Sequence, residues 1–374
     1  MFNLRKSARS MIMIGGIVFF GAAIPARTQR TEIQIENGVT VVRNAIAPAP
    51  KPGGPSKVIL TEDLVIGREA TETEYLFAEL RSVGVDDEER IWALDWEDIK
   101  VRIFDKKGKL LNTFGKKGEG PQELQSPSRM VVKKEGVAAI LDLNKLAFYA
   151  ADGRCLKELS TARSRMARYR FDSRGFIYAD SLDLGEKWRM SILRYDPELK
   201  LLGTMASYEE PFQPGQMNAF TALVLFHVTK SDHLAWVATP RYEIDLVDPD
   251  GRPVRKILKD YKRLKVTDEA KKRILKERWG DRASSLKIVF PEEFPPMDVF
   301  LADDEDRFYV RTYETDGHGA RWHDVFDPEG RCFTRFALPE DEMAFIVKNN
   351  KLYTLIQEDE EGRPLIKRYA LTWK

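Results

Sequence analysis

The sequence predicts an all-β fold made of repeated four-stranded sheets closed into a ring, and three observations lead there. One hairpin recurs: Ile103-Phe104-Asp105-Lys106-Lys107-Gly108-Lys109 is echoed at Phe148–Arg154, Arg194–Lys200, Leu246–Arg252 and Val325–Arg331, each an apolar pair, a turn and a basic residue. The turn chemistry is that of a hairpin, because Asp bonds its own backbone and Gly accepts positive φ without steric cost. Second, the spacing is regular. Between Phe104, Tyr149, Tyr195, Val247 and Phe326 the intervals are 45, 46, 52 and 79, and an unturned copy ends 43 residues later at Tyr369. Third, each copy is preceded by another period-2 pair of runs, which completes a four-stranded unit. Self-similarity at a period in the 40s is the signature of propeller blades, sheets that cannot bury their faces without neighbours.

In order, the preceding pairs are 81–85 with 91–95, 129–132 with 137–142, 169–171 with 176–180, 223–229 with 234–237, 299–302 with 307–311, and 344–347 with 352–355. Six blades result. The sixth lacks an outer strand after Tyr369, whereas 57–67 is strand-like with no inner partners near it. The N-terminal segment is therefore expected to supply that strand and close the ring, leaving no open edge. The pattern resembles the bacterial secreted six-bladed β-propellers of NHL-repeat type. The resemblance covers residue 57 to the C-terminus and rests on the repeated Phe-Asp-x-x-Gly-Lys/Arg hairpin and on the connector Gly115-Lys116-Lys117-Gly118-Glu119-Gly120-Pro121-Gln122-Glu123. It implies a scaffold that serves as binding module, sensor or, occasionally, lyase or hydrolase; fold does not dictate function.

Residues 1–26 read as a signal peptide. Arg5, Lys6 and Arg9 make a basic start, Met11 to Ile24 is apolar, and Ala23 or Ala26 offers a cleavage site. An apolar run of that length rises only ~21 Å, against the ~30 Å of a hydrocarbon core, so export to the periplasm or outside the cell is expected, with an uncleaved anchor as the alternative and no transmembrane segment in the mature chain. Residues 27–56 hold Ala-Pro-Ala-Pro-Lys-Pro-Gly-Gly-Pro at 47–55 and read as a Pro-rich tether. From 57 to 374 one propeller accounts for the chain, with 43% hydrophobic and 10% aromatic residues in the whole sequence to fill its core. The first 26 residues carry three basic and no acidic side chains, which leaves 57 basic against 59 acidic residues. That balance excludes the basic footprint of a nucleic-acid binder.

Cys155 and Cys332 each begin an outer strand, in blades two and five, on opposite sides of the ring. Three strand spacings of ~4.8 Å on each side put them far beyond the ~7 Å reach of a disulfide, so two free thiols are expected.

Propeller connectivity sorts the loops onto two faces. First-to-second and third-to-fourth strand links share one face and are short. Second-to-third links and blade-to-blade connectors share the other, where 115–127, 208–221 and 261–296 connect blades and 182–188 and 312–321 form loops within blades three and five. Ligand-binding residues concentrate on long loops held by a rigid scaffold, so the second face is the functional candidate. The 261–296 connector, between blades four and five, contains one helix: Thr267 is the N-cap, Asp268 and Glu269 open it, and Gly280 ends it. It either covers blade edges or forms a lid.

The candidate ligand-binding residues are Lys116, Lys117, Gly118, Glu119, Gly120, Pro121 and Glu123, through two lysines and backbone amides. The stretch lacks a Gly-Lys-Ser/Thr ending and opens no helix, so it is not a phosphate-binding P-loop, and the competing reading is a tight turn between strands. His318 and His323 flank a blade-five loop, His233 falls in a turn, and only His227 is placed on an inner strand. Propeller lyases that hold zinc in the channel use several inner-facing histidines, so neither a metal nor another cofactor is expected. The acidic runs 86–89, 303–306 and 358–361 lack calcium-loop spacing and read as solvated turns. The leading expectation is a monomeric, exported, non-enzymatic module that binds a protein, peptide or small molecule on its long-loop face. The alternative is a hydrolase or lyase with its active site at the channel mouth.

Overall fold

The computed structural model describes residues 30–68, 73–164, 166–185, 187–211 and 215–374. The proposed signal segment lies outside the described residues. Blade one comprises Leu80–Val85, Ile91–Asp95, Lys100–Phe104 and Leu110–Phe114, and blade two Arg129–Val132, Val137–Leu141, Lys145–Ala150 and Cys155–Ser160. Blade three is Tyr169–Phe171, Ile177–Leu184, Lys187–Tyr195 and Leu201–Pro211, and blade four Val224–Val228, Leu234–Ala238, Glu243–Val247 and Pro253–Lys259. Blade five is Met297–Ala302, Phe308–Thr315, Arg321–Phe326 and Cys332–Leu338. Blade six takes Met343–Lys348, Lys351–Ile356 and Leu365–Trp373 from the C-terminus and its outer strand, Val58–Ile66, from the N-terminal side, as expected.

Each blade is an antiparallel meander whose two faces are apolar, and the core divides accordingly into six clusters, one at each blade interface. Trp92, Tyr178, Tyr309 and Tyr353, on second strands, are fully buried in these interfaces and so serve packing. Where blade one meets blade two, Gly84 allows close approach, because a Cβ there would lie 2.1 Å from Val132 Cγ2.

A ring of cross-blade hydrogen bonds locks the short-turn face. In five blades the second residue of the third-to-fourth strand turn offers its carbonyl to a side chain of the preceding blade. Arg368 Nη1 donates to Lys106 O (2.7 Å), Asn112 Nδ2 to Ala151 O (2.9 Å), Lys157 Nζ to Pro197 O (3.1 Å) and Arg194 Nη1 to Pro249 O (2.6 Å), and Arg255 donates to Pro328 O. These donors remove the need for solvent at the turn carbonyls and fix each hairpin against its neighbour.

Two expectations need correction. From residue 30 on, the expected tether is in part folded: Glu32–Glu36 and Val39–Asn44 form a hairpin through Asn37 (φ 52°) and Gly38 (φ 82°), and the second strand pairs in parallel with the outer strand of blade four. Val41 and Val42 are buried there, and Asn44 accepts from Cys332 N (2.9 Å) and donates to Gly330 O (2.9 Å). The within-blade segments 182–188 and 312–321 consist largely of strand extensions, to Leu184 and from Lys187 in blade three and to Thr315 and from Arg321 in blade five, rather than loops. Leu182 pairs with Met190 and Leu184 with Trp188, so blade three projects an arm beyond the ring on the long-loop face. Both thiols are free, as expected.

The helix spans Asp268–Trp279 between blades four and five, with Thr267 Oγ1 accepting from Ala270 N and Gly280 (φ 51°) at its end. Ile274 is buried against Ala219 and Phe220 of the blade three-to-four connector, and Arg278 Nη1 donates to Ala219 O (2.8 Å). A parallel pairing of Met217–Asn218 with Ile288–Val289 joins the same two connectors. The helix thus covers the rim, and no residue of 261–296 lines the central channel cavity.

Candidate functional site

The expected glycine-rich site is a self-contained turn. Glu123 turns back into it: its carboxylate accepts from Gly120 N (3.0 Å) and pairs with Lys116 Nζ (2.5 Å), while Leu124 N donates to Lys116 O (2.8 Å) and Gly118 N to Leu124 O (3.0 Å). Gly118 is required by that closure, since a Cβ would lie 2.0 Å from Glu123 Oε2. Glu119 accepts from Gln125 Nε2, and Pro121 and exposed Lys117 lie at the surface. The amides that an anion would need at Gly118 and Gly120 are therefore bonded within the loop. Lys116 pairing holds Glu123 below the usual carboxylate range and raises Lys116.

Acidic residues in or just beyond the second strands hold the connectors that enter the inner strands. Asp95 accepts from Ala78 N and Glu79 N, Asp142 from Gln125 N and Ser126 N, and Asp180 from Ala167 N and Arg168 N. On the short-turn side, Asp86 and Asp303 staple their own turns and accept from Trp92 Nε1 (2.9 Å) and Tyr309 OH (2.8 Å). The acidic runs at 86–89 and 303–306 thus serve turn geometry, and among the described residues no group of His, Cys, Asp and Glu is arranged to hold a metal ion.

The inner strands enclose a cavity of ≈ 450 Å³. At the long-loop ends of the inner strands, Arg129 and Arg168 line it from blades two and three, followed by Arg170 one step deeper and by His227 from blade four. Asp298 of blade five also lines it, but its carboxylate is taken by Arg311 (2.8 and 3.1 Å) and Arg321 (3.1 Å). Burial, then the charge of Arg170, depresses His227 well below its ordinary range, so the ring is neutral. His323 lies elsewhere, stacked on Phe336 with centroids 4.9 Å apart and Nδ1 3.1 Å from Arg321 O; burial pushes it down to about 3. His318 is exposed in its turn. The arginine group was not singled out from the sequence, where only the alternation Arg168-Tyr169-Arg170 hints at a shared face.

Beside the channel on the same face, a groove of ≈ 300 Å³ runs between the blade-three arm and the return from the helix, lined by Trp188, Glu210, Asn218, Val289 and Phe290. Exposed apolar residues accompany it: Leu182, Leu184, Met217 and Val289.

Residues 70–245 match the family model DUF5128, described as a 6-bladed beta-propeller. Among solved structures, the fold is similar to the "Putative exported protein" of Bacteroides fragilis, with 10% identity, 89% of this chain and 99% of that chain covered, and a TM-score of 0.56. It is also similar to a member of the DUF4221 family from Bacteroides vulgatus, with 11% identity, 86% and 100% coverage, and a TM-score of 0.55. No curated protein matches the sequence. Identities this low speak to fold alone, and they agree with the six blade sheets and with the sequence match: the chain has the six-bladed β-propeller fold.

Proposed function

We propose that this chain is an exported binding module that takes a ligand or protein partner on its long-loop face. The observation that carries the reading is the asymmetry of the two faces. On the short-turn face, hairpins are stapled by Asp side chains and braced by the preceding blade, so these turn groups are already engaged. The other face bears the departures from the repeat: the blade-three arm, the helical connector, the apolar groove and the channel arginines. Exposed apolar side chains grouped at a rim cost solubility unless a partner uses them. Lys116 and Lys117 belong to the edge of the same face in this reading. Export rests on the basic, apolar and small-residue pattern of residues 1–26; among the described residues no helix is long and apolar enough to cross a membrane.

The alternative, a channel-mouth hydrolase or lyase, has one observation in its favour: a neutral histidine next to an arginine inside the channel. The binder reading is tested by comparing partner capture from the host's exported fraction by the intact protein, by the pair Leu184→Asp and Val289→Asp, by replacement of 262–287 with a short Gly/Ser link, and by Glu329→Ala on the opposite face. Both long-loop changes are expected to abolish capture and Glu329→Ala to leave it intact. Capture lost only in Glu329→Ala would overturn the assignment of the face.

A further inference from the structure

Two arginines of the channel lack the carboxylate partner that most buried or half-buried guanidiniums of the chain have. Buried or half-buried guanidiniums generally face carboxylates: Arg102 has Asp95 and Asp98, Arg335 has Asp324 and Glu314, Arg368 has Asp63, and Arg311 and Arg321 share Asp298. Arg129 and Arg170 make no ion pair among the described residues. Arg129 Nε donates to Ala167 O (3.1 Å), and Arg170 Nη1 donates to Tyr169 O (2.8 Å), the carbonyl of its own neighbour. Arg168 reaches Asp180 Oδ2 (3.1 Å), a carboxylate that already accepts two backbone amides and pairs with no other member of the group.

Topology keeps the three together. Arg168 and Arg170 are two residues apart in extended chain and share a face, while Arg129 begins the neighbouring inner strand and is tied to the same segment through Ala167. All three line the ≈ 450 Å³ cavity, within the usual range for small-molecule sites. Holding like charges together at a half-buried site is unfavourable without a counter-charge. The strain is visible at Arg170, pushed down to about 10 by burial first and then by Arg129, and at Arg129, lowered by burial and then by Arg168. His227, neutral beside Arg170, adds no cation.

We propose that the channel between blades two, three and four binds an oxyanion-bearing small molecule, its carboxylate, phosphate or sulfate group held by Arg129 and Arg170 with Arg168 beside them. Guanidinium groups offer planar pairs of N–H donors that match the two oxygens of such groups, and partial burial strengthens the pairing. The inference rests on the long-loop face as the working face, since Arg129 and Arg168 stand at that end of their strands, and it adds the chemical class of the ligand.

The test is titration calorimetry and thermal shift of the mature protein with sodium citrate, phosphate and sulfate, against sodium chloride at matched ionic strength. The intact protein is expected to show a saturable rise in melting temperature with at least one of the three. Citrate alone would identify a carboxylate site, and phosphate or sulfate a tetrahedral oxyanion site. Arg129→Met and Arg170→Met are each expected to weaken that binding at least tenfold, whereas Arg252→Met, at an exposed turn, is expected to leave it unchanged. Without anion, Arg170→Met is expected to melt at or above the temperature of the intact protein, since a repulsion is removed. Should a Met variant fail to fold, Arg170→Lys retains the charge but not the planar fork, and the same tenfold loss is expected. No saturable effect beyond chloride, or undiminished binding in the arginine variants, would overturn the proposal. An absent anion effect together with capture lost in the long-loop variants refutes the anion site alone, and an intact anion effect with capture indifferent to those variants refutes the face alone.

Discussion

Replacing Ile66 by Ala probes ring closure at its most informative residue. Ile66 ends the N-terminal strand of blade six, pairs with Ile366 and is 2% exposed, packed in one cluster with Phe77, Leu80, Phe104 and Leu355. It therefore ties the start of the chain both to blade six and to blade one. Truncating a buried Ile removes its transfer free energy and leaves a cavity, together about 2–5 kcal/mol. In a chain of this size each kcal/mol lowers the melting temperature by roughly 1.5 °C, so the expected drop is about 3–7 °C. The matched control is Ile35→Ala, in the exposed edge strand of the N-terminal hairpin, where the side chain is 78% exposed and the change should stay within about 0.5 kcal/mol. Calorimetry of the two variants decides the matter. Equal melting temperatures for Ile66→Ala and Ile35→Ala would refute closure by this strand, as would a chain starting at Leu80 that melts like the intact one.

Three further outcomes follow from the packing and charge. Deleting 28–55 should lower the melting temperature measurably, because Val41 and Val42 leave the edge of blade four and Cys332 N loses the Asn44 carbonyl; a silent deletion would mean that the hairpin does not pair there. Gly84→Ala should cost about 1–3 kcal/mol by urea unfolding, from the clash with Val132, and no change would contradict the close approach of blades one and two. Asp245 is pushed up to about 6 by burial and then by Glu243, both beside Lys256. A raised carboxyl makes the folded state the stronger proton binder, so the penalty is full above pH ~7, fades as pH falls through about 6, and is gone below the unfolded value near 4. Asp245→Asn should therefore stabilise the protein by about 1–2 kcal/mol at pH 8 and by almost nothing at pH 4, read from denaturant midpoints; a pH-independent effect would rule out titration as the cause.

The ring was legible because its signals are local. An Asp-x-x-Gly turn needs only its own residues, so five hairpins could be placed and counted, and the missing outer strand pointed to 57–67. The hairpin at 32–44 carried an equally local signal, with alternating Glu-Ile-Gln-Ile-Glu, then Asn37-Gly38, then Val-Thr-Val-Val, but the neighbouring proline run at 47–55 led the whole segment to be read as a tether. Blade three's arm likewise shows in the spacing of Leu182, Leu184, Trp188 and Met190, paired strands where a loop was expected. The candidate site was harder. That Glu123 would turn back onto Gly118 and Gly120 depends on the connector's path, and the meeting of Arg129 with Arg168 and Arg170, some forty residues later, depends on two blades lying side by side. Such meetings leave no mark in a one-dimensional pattern.

The central claim is that one face of the propeller does the work, and site-specific photo-crosslinking in the producing cell tests it most directly. A photoreactive residue placed at Leu184, on the blade-three arm, is compared with one at Lys107, in a short turn on the opposite face; both positions are exposed. A discrete covalent adduct from position 184 and none from position 107 is the predicted result, and an adduct formed only from position 107 would contradict it.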